Sequence, residues 1–277
     1  MPHTYTNDSV TFYEDTGDGP VVVLVHGHSL DLRMWKYQVG PLVDMGYRVI
    51  RYDVRGHGRS MVTPSGYTWD NYSQDLTELL DRLNVEKPAE EPLAVDSVHV
   101  VGLSMGGGIA LKFALDHPER VLSLTLVDST LPGFGYSEEF AASIRALREA
   151  VAVEGKEAAF ARLWLNNAMF DGVRRYPERF AEVVEMVAGF QAAEYLVGSE
   201  TPGYVQPDLA ARLGEVTAPT LVVAGQDDIP DFVIIATLME ANIPGARRVE
   251  LAGCGQLPPM EDPVAFNRTL LEFLAGL

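Results

Sequence analysis

At 277 residues and 47% hydrophobic content, the chain can bury a large core as one domain, or as one domain with an insertion. A formal charge of −18 favours solubility and repels phosphate backbones, which argues against nucleic-acid binding and says nothing about substrate. No run approaches the roughly 18 apolar residues of a membrane span, and the polar start Met-Pro-His-Thr-Tyr-Thr-Asn-Asp has no apolar signal region, so a cytoplasmic location with no membrane partner is expected. The single cysteine, Cys254, can form no internal disulfide, which suits a reducing compartment.

In chain order, Val10 to Asp15 reads as an early strand before a Gly-Asp-Gly-Pro turn, and Val21 to Val25 as a continuous apolar strand. The loop His26-Gly27-His28-Ser29 follows, then a helix within Leu30 to Met45 and a strand over Tyr47 to Tyr52. Trp69 to Leu83 is amphipathic, with Leu76, Leu79, Leu80 and Leu83 at helical spacing. Glu86 to Asp96, rich in Pro and Glu, reads as a surface connection. Ser97 to Val101 predicts a strand and Met105 to His117 a helix stopped by His117-Pro118. Val121 to Val127, Thr220 to Ala224 and Arg248 to Leu251 supply three more strands, and Val264 to Leu274 a closing helix. Strands alternating with helices indicate a mainly parallel sheet covered on both faces.

Between Leu131 and Gly214 the pattern changes to helices without strands: Glu138 to Val153, Lys156 to Asn166 and Pro177 to Val197. This divides the chain into a core of residues 1–132 and 214–277 and an inserted helical cap of 133–213. A cap following a sheet strand covers the carboxyl ends of the strands, where ligands bind in open α/β sheets. Its aromatic residues make Phe134, Trp164 and Phe170 candidates for a pocket wall, with Tyr136, Met169, Phe190 and Tyr195 beside them. For any one of them, simple packing in the cap's own core is the commoner role.

The chemistry centres on Gly102-Leu103-Ser104-Met105-Gly106, a G-x-S-x-G sequence between a predicted strand and a predicted helix. A serine on such a turn is held in strained backbone geometry with its hydroxyl exposed, and its neighbours must be small for strand and helix to approach. At a helix start, backbone N–H groups and the positive end of the helix dipole lie beside any oxyanion that develops.

With the His26-Gly27 loop, the Asp53-Val54-Arg55-Gly56-His57-Gly58-Arg59-Ser60 turn, the elbow, Gly225-Gln226-Asp227-Asp228 and Gly253-Cys254-Gly255-Gln256-Leu257-Pro258-Pro259, nearly the whole chain resembles the α/β-hydrolase superfamily. The resemblance is to its capped esterases and enol-lactone hydrolases. It implies an α/β-hydrolase fold and a small-molecule ester or lactone substrate, with no cofactor and no metal. Ser104 is then the nucleophile, and the backbone N–H groups of His28 and Met105 are the oxyanion-hole donors. The Gly-x-x-Asp spacing selects Asp228 as the acid, with Asp227 the runner-up.

At the base position the sequence departs from the family, because Gln256 stands where the resemblance implies histidine. A glutamine amide can hydrogen-bond to Ser104 and Asp228, but it has no lone pair basic enough to take the serine proton near neutral pH. Among the other histidines, His57 sits in a turn with a structural family role, His99 in a strand, His117 before a proline, His3 in the tail and His26 in its loop. His28 is the remaining substitute, approaching from the oxyanion side, where Asp228 cannot orient it. Cys254 reads as a packed thiol. Three readings stay open: an ester or lactone hydrolase disarmed at its base, a ligand-binding derivative of the fold, and an enzyme with substrate-assisted or non-hydrolytic chemistry in the same pocket.

Overall fold

The computed structural model describes residues 2–85, 97–196 and 205–277. The expected surface connection at 86–96 lies outside them, as does Val197 at the end of one predicted helix.

Eight strands form one sheet: β1 (His3–Thr6), β2 (Ser9–Thr16), β3 (Val21–Val25), β4 (Arg48–Tyr52), β5 (Val98–Leu103), β6 (Val121–Val127), β7 (Thr220–Gly225) and β8 (Arg247–Leu251). Their spatial order is β1-β2-β4-β3-β5-β6-β7-β8. β1 and β2 pair antiparallel, as do β2 and β4, and every later pairing is parallel. All five residues of β3 and all six of β5 and β7 are buried, as expected for parallel strands covered on both faces. β1 has no apolar run to announce it. Its buried residues are Thr4 and Thr6, and the Thr6 hydroxyl meets that of Thr11 at 2.6 Å.

The helices of the layered core are α1 (Lys36–Asp44), α2 (Trp69–Val85) and α3 (Met105–Asp116). Between β6 and β7 come α4 (Glu138–Glu154), α5 (Lys156–Ala159), α6 (Asp171–Arg174), α7 (Pro177–Gly189) and α8 (Ala193–Leu196). The chain ends with α9 (Pro230–Asn242), α10 (Pro258–Glu261) and α11 (Pro263–Ala275). α2 packs on α3, and α1 on α11, over the sheet. Among the described residues no helix is long and apolar enough to cross a membrane.

Two of the predicted helices are interrupted. The Lys156 to Asn166 helix widens after α5 into a π turn over Phe160–Trp164, closed by Leu165 N–H donating to the Phe160 carbonyl at 2.9 Å, with both aromatic ends of the turn buried. The Pro177 to Val197 helix breaks at Phe190, whose ψ of 129° is extended, and Ala192 follows at φ 52°. The cause is packing: Phe190 turns inward to stack on His57, with ring centroids 4.5 Å apart, and the chain re-enters helix only at α8.

The strand order has a switch beside β3. The chain leaves β3 for β4 on one side and later returns to β5 on the other, which opens a crevice at the carboxyl ends of β3 and β5. Register Val25↔Gly102 places the His26–Ser29 loop directly alongside Leu103 and Ser104.

Candidate active site

Ser104 joins β5 to α3 with φ 51° and ψ −118°, a backbone conformation that L-residues rarely adopt. It is tied on both sides. Its N–H donates to the Val127 carbonyl at 2.9 Å, and its own carbonyl accepts from Gly107 and Thr130 at 2.9 and 3.0 Å. Those bonds hold the strain in place. The glycine requirement is steric, since a Cβ at Gly106 would run into the Val25 and His26 carbonyl oxygens, and one at Gly102 into Gly106. Met105 is the first helical residue, so its N–H has no partner within α3.

Asp228 follows β7. Its Oδ1 accepts the Ile229 N–H at 2.7 Å, while Oδ2 is enclosed with no hydrogen-bond partner among the described residues. Burial pushes its carboxyl up to about 7. Asp227 is exposed and pairs with Arg175 at 3.0 Å.

Gln256 is 3% exposed. Its Nε2 donates to the backbone carbonyl of Asp128 at 2.8 Å, and its Oε1 is buried without a partner. The amide therefore does not make the bonds to Ser104 and Asp228 that the sequence suggested. A buried donor takes the acceptor within reach, here the carbonyl at the end of β6. Among the described residues no imidazole nitrogen hydrogen-bonds to the Ser104 hydroxyl. Asp128, which the sequence reading did not single out, accepts the Gly225 N–H on both carboxylate oxygens at 2.9 and 3.2 Å. Burial and the neighbouring Asp228 push its carboxyl well up. Its place at the end of β6, one strand from the predicted acid, is the signal that marks it.

A cavity of about 160 Å³ lies over Ser104, with His28, Met105 and Gln256 also on its wall. The segment between β6 and β7 contributes Trp164, Met169 and Phe170. Trp164 is fixed by its Nε1 donating to Ser29 Oγ at 2.7 Å. Phe134 lies off the cavity, its ring 5.2 Å from that of Tyr136.

Histidines cluster beside the cavity. His28 Nδ1 lies 3.0 Å from Glu194 Oε1, and its Nε2 lies 2.9 Å from the Tyr195 hydroxyl. Burial tends to raise Glu194, yet the His28 and His57 imidazoles hold it below the usual carboxylate range. His57 Nδ1 faces the Arg55 carbonyl at 3.1 Å and its Nε2 is buried with no partner, while burial pushes the ring down to about 3. An orienting carboxylate for His28 thus exists, from α8 rather than from Asp228. Nothing local in the sequence announces a partner so far along the chain. Of the rest, His26 Nε2 accepts the Val54 N–H at 2.8 Å and His99 pairs with Ser123 Oγ at 2.8 Å, both structural roles. Cys254 is buried and its thiol is pushed up to about 12 by burial, the chemistry of a packed residue.

The chain is similar to known proteins. The chain is 32% identical over 273 residues to a 2-hydroxy-6-oxononadienedioate/2-hydroxy-6-oxononatrienedioate hydrolase of Cupriavidus pinatubonensis, covering 95% of this chain and 89% of that protein. The enol-lactonase of Burkholderia xenovorans LB400 superposes with a TM-score of 0.83 at 26% identity, over 99% of this chain and 100% of that one. A thermophilic esterase from Thermogutta terrifontis gives 0.79 at 30% identity, over 100% and 97%. Residues 22–269 match the Alpha/beta hydrolase family, and the chain belongs to it.

Proposed function

We propose that the chain is a serine hydrolase scaffold for carboxylic esters or lactones whose general base is absent, so that its turnover is impaired as it stands. Ser104 is the nucleophile, Asp228 the acid and Gln256 the vacated base position. The helical segment 133–213 acts as the cap over the site, and the N–H groups of His28 and Met105 meet the oxyanion that forms when Ser104 Oγ attacks the acyl carbon. The enol-lactonase and esterase among the similar structures support this substrate class.

One observation carries the reading. The Gln256 amide donates to the Asp128 carbonyl, and among the described residues no imidazole is bonded to the serine. Attack by Ser104 requires its proton to leave with the developing bond, and a neutral amide at pH 7 cannot accept it. Loss of the base alone in a serine protease costs on the order of a millionfold in turnover, the residue of activity coming from the oxyanion hole and binding. Asp228 Oδ2, enclosed and unpartnered, is the acceptor that an imidazole Nδ1–H would satisfy.

The test is Gln256→His assayed on p-nitrophenyl acetate and on a small lactone. Turnover rises by several orders of magnitude and falls back when Ser104→Ala is added. Brisk hydrolysis by the unaltered chain, or a folded Gln256→His variant without gain, overturns the reading.

A further inference from the structure

Outside the serine and its partners, the molecule carries a second grouping of ligating side chains. His28, His57 and Glu194 each offer one donor atom, and the three atoms lie within 4.8 Å of one another. We propose that these three residues bind a divalent late first-row transition ion such as zinc, at the rim of the cavity and apart from the Ser104 chemistry.

The orientation of the rings carries the argument. His57 Nδ1 faces a backbone carbonyl and must carry the proton, which leaves the lone pair on Nε2. That nitrogen is buried, in a residue 1% exposed, with no partner among the described residues. A buried acceptor left unsatisfied costs stability unless something else fills the role. His28 presents Nδ1 toward Glu194, and its Nε2 can donate to the Tyr195 hydroxyl. Each ring therefore has its second nitrogen held by an oxygen, which is how metal-binding histidines are usually fixed in tautomer and direction.

Ligand type and spacing narrow the ion. Two imidazoles and one carboxylate suit zinc and its late first-row neighbours, whereas calcium and magnesium call for more oxygen ligands. A tetrahedral zinc with bonds of about 2.0–2.1 Å needs donor atoms roughly 3.3 Å apart. The His28–Glu194 pair, at 3.0 Å, is already near that spacing. All three donor atoms lie within 4.8 Å of one another, so the remaining separation is one that side-chain rotations can close. Entry is available through a second cavity, of about 210 Å³, that has Glu194 and Tyr195 on its wall. A bound ion would join α8 to the loops after β3 and β4, and so fix the helical segment against the core.

The test uses the full chain stripped with chelator and titrated with cobalt(II) or zinc chloride. We expect one equivalent of ion per chain, visible d–d absorption of four- or five-coordinate cobalt, and a higher Tm with zinc. Glu194→Gln, which keeps size and alters only the donor, should weaken binding at least tenfold. His57→Phe, which retains ring packing on Phe190, should do the same. His3→Ala controls for adventitious binding at the chain start and should change nothing. Absence of stoichiometric binding by the unaltered protein, or equal affinity in a folded Glu194→Gln variant, overturns the proposal. Neither result depends on ester turnover, so failure here leaves the hydrolase reading untouched, and the converse holds as well.

Discussion

Asp228 is the acid of the proposed mechanism, and its surroundings are those of a carboxyl without a cationic partner. Its carboxyl is enclosed, has one backbone donor on Oδ1, none on Oδ2, and a second carboxyl, that of Asp128, close by. Without a cationic partner, burial favours the protonated form and raises it to about 7 from an ordinary value near 3.8. Between those two values the folded chain holds a proton that the unfolded chain has released. Stability therefore declines as pH rises through that window, and the decline is complete above it. Asp228→Asn keeps an oxygen for the Ile229 N–H and titrates nowhere in the range. The Tm difference between Asp228→Asn and the parent should grow from about pH 4 to pH 7.5, read by thermal melts in a buffer series. A difference that is flat or shrinks with pH would refute the assignment. Ser104, Asp228 and Gln256 were singled out in the sequence because each follows a strand with its own local glycine pattern, and their catalytic roles belong to the proposal above. Glu194 and Asp128 were not, since their importance arises from neighbours that only the folded sheet brings near.

At the scale of elements, the loop carrying Gln256 is held by a clamp from α10. The Glu261 carboxylate, 1% exposed, accepts the N–H groups of Gly255 and Leu257 at 2.6 and 2.9 Å. Gly172 in α6 lies against the same carboxylate, so closely that a Cβ there would run into its oxygens. Gly172→Ala should push the carboxylate off one or both donors and cost about 1–3 kcal/mol, the penalty for buried groups left unpaired. Gly189→Ala at the end of α7 is the contrast, because a Cβ there meets nothing within 4 Å. It should be neutral or stabilise by up to about 1 kcal/mol. Urea midpoints for the two variants decide, and equal shifts would show that the clamp is not what Gly172 accommodates. In a Gln256→His background Gly172→Ala should also lower kcat, since the new imidazole would ride on the loosened loop. Parallel strands were readable from their β-branched runs. The breaks at Phe160 and Phe190 were not, because helical spacing continues through both while packing of those rings around His28 and His57 decides the backbone.

For the molecule as a whole, charge is the feature that composition sets and the fold must tolerate. With 39 acidic residues against 21 basic ones, many carboxylates have no cation to pair with. Ion pairs exist on the surface, such as Lys36–Glu182 at 2.5 Å and Arg175–Asp227 at 3.0 Å, but exposed pairs contribute roughly 0–1 kcal/mol each. Arg55–Asp75, with side chains 4% and 2% exposed, is shielded from solvent and so from added salt. Two effects of salt then oppose each other: screening weakens the surface pairs, and it also relieves the mutual repulsion of the acidic excess in the compact state. The repulsion is summed over the whole surface and acts across tens of ångströms at low ionic strength, where the Debye length is about 30 Å, against about 8 Å at 0.15 M. It should outweigh the short-range pairs. Raising potassium chloride from about 0.01 to 0.15 M at pH 7.5 should therefore raise the Tm, with little further gain once the Debye length falls below the spacing of neighbouring carboxylates. A Tm that drops with salt would mean that the surface pairs, not the unpaired acids, govern how this fold responds to its own charge.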